Sequence, residues 1–159
     1  MVKTYLGFLR IGIGFIFLWA FFDKLLGLGF ATPPERAWIL GSSPTFGYLK
    51  NATYGPFADF FQSLAGNPIV DFLFMLGLLG VGVAFVLGIA MRLAAYSGAL
   101  MLILMYISAF PPANNPVIDD HIIYALIMLF LGHSESNKTA FSKWWNKTSI
   151  AETLPLLRN

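Results

Sequence analysis

Four long apolar runs, near residues 4–26, 69–90, 93–110 and 117–133, constrain this chain more than any other feature. About 20 apolar residues at 1.5 Å rise cross the hydrocarbon layer of a bilayer. Only helices and closed barrels satisfy their backbone polar groups there. Four such runs in 159 residues predict an all-α integral membrane protein. The architecture expected is a four-helix bundle over residues 1–133, followed by a polar cytoplasmic tail over 134–159. Composition agrees, with 57% hydrophobic residues, 11% charged and a mean hydropathy of +0.71, too little polar surface for a soluble domain. The first run is not read as a cleaved signal. Its apolar body is too long, Arg10 interrupts it, and Trp19 to Leu26 offers no small-x-small cleavage site. With no cysteine, dithiol chemistry, iron–sulfur ligation and thiolate zinc sites are excluded.

Charge sets the expected orientation. Lys3, Arg10, Arg92, Lys138, Lys143, Lys147 and Arg158, seven of the ten basic residues, fall on one side of the four spans; Lys24, Arg36 and Lys50 fall on the other. The positive-inside bias puts both termini in the cytoplasm of a cell membrane. Asp23, Glu35, Asp59, Asp71, Asp119 and Asp120 then face outward. Of the Asn-x-Ser/Thr matches at Asn51, Asn137 and Asn146, only the first lies outside. The basic residues are too sparse to imply a nucleic-acid partner.

Between the first two spans lies an extracytoplasmic loop of about 40 residues, longer than most unstructured connections. Pro34 to Leu40, ended by Gly41, reads as a short helix, and Ser43-Pro44-Thr45 as the start of another. Pro56 opens a third, in which Phe57, Phe60, Phe61 and Leu64 recur at i, i+3, i+4 and i+7 before Gly66. Asn67-Pro68 then caps the second span. The picture is an aromatic lid on the outer surface. Within the spans, Gly80, Ala84 and Gly88, and Ala94 with Gly98, form small-residue faces that allow close helix approach. Gly12-Ile13-Gly14-Phe15 and Gly80-Val81-Gly82-Val83 are alike but too short to count as a repeat. Phe141-Ser142-Lys143-Trp144-Trp145 in the tail reads as an interfacial anchor.

Charged groups in spans mark function or topology, since each costs roughly 2.5 to 3.5 kcal/mol at the bilayer centre. Arg10 needs a carbonyl or carboxylate partner, or snorkels to the cytoplasmic interface. Arg92, in a very short turn, reads as an orientation signal. Asp23 and Lys24 end the first span where Asp119, Asp120 and His121 begin the fourth, so a bundle brings the two sets to one side. The aspartates also suit a helix N-terminus, where negative charge is favoured by roughly 0.3 to 1 kcal/mol. That account leaves the histidine over. Asp120, His121 and Tyr124 share a helix face by spacing and form a candidate proton-transfer group. His121 and His133, about 18 Å apart along one helix, cannot ligate one haem within the chain. No spacing motif supports a metal site, and no P-loop, nucleophile elbow or dinucleotide fingerprint is present.

Leu9-Arg10-Ile11-Gly12-Ile13-Gly14-Phe15-Ile16-Phe17-Leu18-Trp19 with Asp23-Lys24, and Gly77-Leu78-Leu79-Gly80-Val81-Gly82 running to Gly88-Ile89-Ala90-Met91-Arg92-Leu93-Ala94-Ala95, resemble the DoxX family of four-span membrane proteins. Trp38 with Gly41, Ser43-Pro44-Thr45-Phe46-Gly47-Tyr48-Leu49, Gly55-Pro56-Phe57-Ala58, Leu64-Ala65-Gly66-Asn67-Pro68 and Asn114 to His121 look like its DoxD branch. The resemblance covers about residues 5–133. It implies the membrane subunit of a thiosulfate:quinone oxidoreductase, working beside a second, DoxA-like subunit. On that reading Lys24 and Arg36, with Asp23 and Asp119 near them, receive thiosulfate or another small anion. Asp120, His121 and Tyr124 handle the protons of quinone reduction, and Trp38, Phe57, Phe60 and Phe61 cover the quinone ring. The rival expectation is a non-catalytic accessory subunit of a larger membrane complex, and a homo-oligomer fits either. A transporter is disfavoured, since midspan acids and broken helices are not evident.

Overall fold

A computed structural model describes residues 1–113, 115, 117–134 and 140–157. Asn114 and Pro116 of the DoxD-like stretch, the Asn137 match, Lys138 and Arg158 lie outside them. The described chain is helical: α1 (Val2–Leu26), α2 (Phe46–Asn51), α3 (Ala58–Ser63), α4 (Pro68–Leu87), α5 (Met91–Ser108), α6 (Asp120–Gly132), α7 (Ala140–Trp145) and α8 (Ser149–Thr153), with 3-10 turns at Pro34–Arg36, Trp38–Leu40 and Pro155–Leu157. Among the described residues, extended pairing is limited to one bridge between Tyr54 and Ala109.

α1, α4 and α5 are long and apolar enough to cross a membrane, which marks the chain as a membrane protein. α6, with 13 residues, reaches only about 20 Å along its axis. It starts three residues later than the apolar run, because Val117 and Ile118 are held by their N–H groups on Asn115 Oδ1 at 3.0 and 3.2 Å. Tyr106 donates to the Val117 carbonyl at 2.8 Å and ties the same segment to α5.

Local signals explain the helix ends. Asn67 Oδ1 accepts from the N–H groups of Ile69 and Val70, and Pro68 takes the first turn of α4. Asp119 does the same for α6, accepting from His121 and Ile122. The segment expected as one helix over Pro34 to Leu40 is instead two 3-10 turns, broken at Ala37, whose extended backbone places it 1% exposed.

α1 packs on α4, α4 on α5 and α5 on α6, while α6 meets α1 only slightly. One apolar core joins all four, including Ile13 and Phe17 of α1, Met75 and Phe85 of α4, Met91 and Ala95 of α5, and Met128 and Leu131 of α6. The closest crossing differs from the expected small-residue face. A Cβ on Gly80 would meet nothing within 4 Å, so Gly80 is not a packing position. Gly14 and Gly82 are. A Cβ on Gly14 would lie 2.8 Å from the Val86 nitrogen and 3.0 Å from the Gly82 oxygen, and one on Gly82 would lie 2.9 Å from the Leu18 nitrogen. Gly98, by contrast, packs as expected, against Met128 and Val81.

Arg10 is 5% exposed and its Nη1 donates to the carbonyls of Phe85 and Val86 at 2.6 and 3.2 Å. These carbonyls belong to the last turn of α4, where no intrahelical donor remains and the dipole is negative. The guanidinium of one helix thus caps another. Its Nε is the one buried side-chain polar atom without a hydrogen-bond partner among the described residues.

Candidate functional site

The end of the molecule that carries the α1–α4 connection, here the loop end, encloses a cavity of about 380 Å³, in the lower part of the roughly 300 to 1,000 Å³ range of small-molecule sites. Lys24 lines it from α1; Pro44, Thr45, Tyr48 and Leu49 from α2 and the residues before it; Phe61 and Leu64 from α3 and its end. Val70, Leu73 and Phe74 of α4 and Met101, Leu104, Met105 and Ser108 of α5 complete it. α6 contributes nothing. Leu73 and Leu104, which line the cavity, are 59% and 45% exposed, so it is open to the surroundings of α4 and α5.

The cavity's shape depends on how the loop is fastened. Asp71, in the first turn of α4 and 6% exposed, accepts from the Ser43 hydroxyl at 2.9 Å and from both the N–H and the hydroxyl of Thr45. This anchors the segment entering α2 over the start of α4. Thr53 donates to the Leu49 carbonyl at 2.8 Å, and the Tyr54 N–H to the Ser108 carbonyl at 3.1 Å, fixing the far side of α2 to the end of α5.

Few polar groups reach the cavity. The Tyr48 hydroxyl lies 2.9 Å from the Ser108 hydroxyl and 3.3 Å from the Met105 carbonyl, to which Ser108 also donates at 2.7 Å. Burial raises the Tyr48 pKa above the ordinary phenol value; the Ser108 hydrogen bond opposes this, and nearby Tyr54 and Asp119 add to it. The phenol therefore keeps its proton at neutral pH. Among the described residues, no hydrogen bond or ion pair engages the half-buried Lys24 ammonium. Its neighbour Asp23 is spent elsewhere: 2% exposed, it accepts from the N–H groups of Phe30 and Ala31, both at 3.1 Å.

Of the site residues expected from the sequence, Lys24 and Phe61 line the cavity. Trp38 packs on the core, Arg36 is exposed on its 3-10 turn, and Phe57 and Phe60 are exposed on the surface. Asp23 serves the loop, and no hydrogen bond or ion pair joins it to the start of α6. There, His121 Nδ1 meets Asp119 Oδ2 at 2.7 Å, so the carboxylate accepts and Nδ1 carries the proton. Burial works against the Asp119 charge. The bonds from the His121 ring and from the Ile122 and His121 N–H groups outweigh it and hold the carboxyl below its ordinary value. Asp120 and Tyr124 are exposed and stand apart from this pair's hydrogen bonds. Tyr48, Thr45 and Ser108 are not among the site residues expected from the sequence, although hydroxyls closing an apolar run, as Ser108 closes α5, are a readable signal.

These features define a helical membrane protein with an apolar, lysine-bearing cavity at one end. No family model, curated protein or solved structure matches the chain.

Proposed function

We propose that the chain is the four-span membrane subunit of a quinone-linked oxidoreductase, with both termini cytoplasmic and the loop outward, and that the cavity receives the quinone ring. The observation that carries this reading is the pairing of an open apolar cavity between α4 and α5 with a hydroxyl pair and a lysine that, among the described residues, makes no hydrogen bond or ion pair. A lipid-soluble ring with oxygens at both ends needs apolar walls and a donor for a carbonyl; Lys24 supplies the donor, and Tyr48 with Ser108 can give or accept a hydrogen bond. The Asp119–His121 pair at the start of α6, which lies outside the cavity lining, is the proposed proton-exchanging group at this end. Thiosulfate, as the family resemblance implies, is the proposed electron source, with the electrons delivered through a DoxA-like partner.

Binding of a short-chain benzoquinone to the chain in nanodiscs tests the cavity. Losing a charged hydrogen bond of roughly 1.5 to 3 kcal/mol weakens affinity about tenfold or more in Lys24→Met. Unchanged affinity removes the cavity from the proposal. In membranes holding both subunits, thiosulfate-dependent quinone reduction that survives His121→Ala intact removes the histidine. A second reading, a non-catalytic accessory subunit, draws support from Gly12 and Gly80, where a Cβ meets nothing within 4 Å and another helix has room to approach. It predicts stoichiometric copurification with a larger complex and no quinone affinity.

A further inference from the structure

The last two helices invert the pattern of a segment folded in water. In α7, among the described side chains, Ser142 is the buried one, while Phe141 and Trp144 are exposed. In α8 the buried side chain is Ala151, while Ile150 is exposed, followed by exposed Leu154 and Leu156. These five large apolar residues are between 48% and 62% exposed. The segment is nonetheless pinned down. Trp145 Nε1 donates to the Leu157 carbonyl at 2.7 Å, Thr148 caps α8, and the Pro155–Leu157 turn packs on both α5 and α8. A fastened element with small residues inward and large apolar ones outward is built for surroundings other than water.

Its place in the fold says what those surroundings are. The chain leaves α6 at His133, whose ring bonds to Tyr96 near the start of α5 at 3.2 Å, so the tail is delivered to the end opposite the loop. The same end holds the start of α1, since Arg10 reaches the last turn of α4. Tyr5 and Phe8 of α1 and Phe130 of α6 are exposed in the halves of their helices nearest that end. Helices of six and five residues are too short to cross the hydrocarbon but suited to lie along it. Lys143 and Lys147, four residues apart and both exposed, accompany the apolar side chains, and Arg92 and Lys3 are exposed at the same end.

We propose that residues 140–157 form a platform seated in the headgroup layer of anionic phospholipid, with Phe141, Trp144, Ile150, Leu154 and Leu156 in the acyl boundary and Lys143 and Lys147 on phosphate. This is a membrane-reading element fixed to the span region, and it is independent of the quinone proposal.

Because the chain has no cysteine, single nitroxide labels can be placed at Trp144→Cys and Leu154→Cys in the full chain, reconstituted into phosphatidylcholine vesicles with or without phosphatidylglycerol. With phosphatidylglycerol, both labels should be more accessible to oxygen than to a water-soluble nickel complex. Lys143→Gln with Lys147→Gln should shift the immersed-to-exposed ratio toward water by about fivefold per lysine, and omitting phosphatidylglycerol should do the same. Slow thiol modification of unlabelled Ser142→Cys shows that the platform is still folded. Labels that report water in every vesicle overturn the proposal. So do labels shielded from both reagents, which would mean that a protein covers the surface. Immersion that ignores both lysines and phosphatidylglycerol overturns the anionic-lipid assignment.

Discussion

Replacing Gly14 by alanine should loosen the α1–α4 crossing, and the structure gives the scale. The new Cβ would sit 2.8 Å from the Val86 nitrogen, 2.9 Å from its Cγ2 and 3.0 Å from the Gly82 oxygen. Two of these are backbone atoms of α4 that cannot swing aside, so the helices must separate. Overpacking of this kind costs about 1 to 3 kcal/mol, against which alanine regains up to about 1 kcal/mol of helix propensity over glycine. The net destabilisation expected is therefore roughly 0 to 3 kcal/mol, or up to about 6 to 12 °C in Tm at the 2 to 4 °C per kcal/mol typical of this chain length. Arg10, one turn before Gly14, adds to the loss, because parting the helices stretches its bonds to Phe85 and Val86. Gly80→Ala is the matched control: the same chemical change on α4, with no atom within 4 Å of the new methyl. It should leave Tm unchanged or raise it slightly. The assay is thermal unfolding of both variants in the same detergent. Equal Tm values for the two would refute the claim that Gly14, and not Gly80, marks the helix contact.

Two further outcomes follow from single residues. Asp119→Ala should cost about 1 kcal/mol by removing the α6 cap, and should change the acid limb of stability. A carboxyl held below its ordinary value contributes stability that is full above the unfolded pKa of about 3.9 and is lost as pH falls through the lower folded value. Tm of the parent should thus fall more steeply than that of the variant as pH drops below about 4; parallel curves would contradict the cap and the His121 bond. Asp23→Ala should strip the acceptor from the Phe30 and Ala31 amides, at roughly 1.5 to 3 kcal/mol for bonds to a charged group. Hydrogen exchange at those two amides should accelerate, and unchanged exchange would dismiss Asp23 as the fastening of that turn.

The helices were readable because their apolar runs are long and their ends carry local chemistry: Asn67-Pro68 starts α4, and Asp119 starts α6. Spacing alone could not say which glycines meet, because that depends on the order in which helices pack. Gly80 and Gly82 lie two residues apart on different sides of α4, and only the position of α1 selects between them. The same ignorance leaves the cavity unforeseen. Placing His121 opposite Asp23 assumes that α1 and α6 face each other closely, whereas the cavity forms between α4 and α5 beneath α2 and α3. The i+3 relation drew attention to Tyr124, yet the imidazole turns back to Asp119, whose extended backbone as the capping residue brings its carboxylate over the first turn. Lys24 and Phe61, which line the cavity, are conspicuous in sequence as a lysine at a span end and an aromatic at helical spacing. Tyr48 and Ser108 owe their roles to a meeting of segments 60 residues apart.

The guanidinium of Arg10 has a consequence for biogenesis. Its acceptors lie 75 residues downstream, so at about 5 to 20 residues per second the ribosome needs roughly 4 to 15 s to make them. Throughout that interval the first helix carries an unmet charge, with a penalty of roughly 2.5 to 3.5 kcal/mol at the bilayer centre. The other apolar residues of α1 outweigh that penalty, so the helix can enter the bilayer first, with the side chain reaching toward the interface. Burial of the guanidinium against α4 is thus completed only once Phe85 and Val86 have been made.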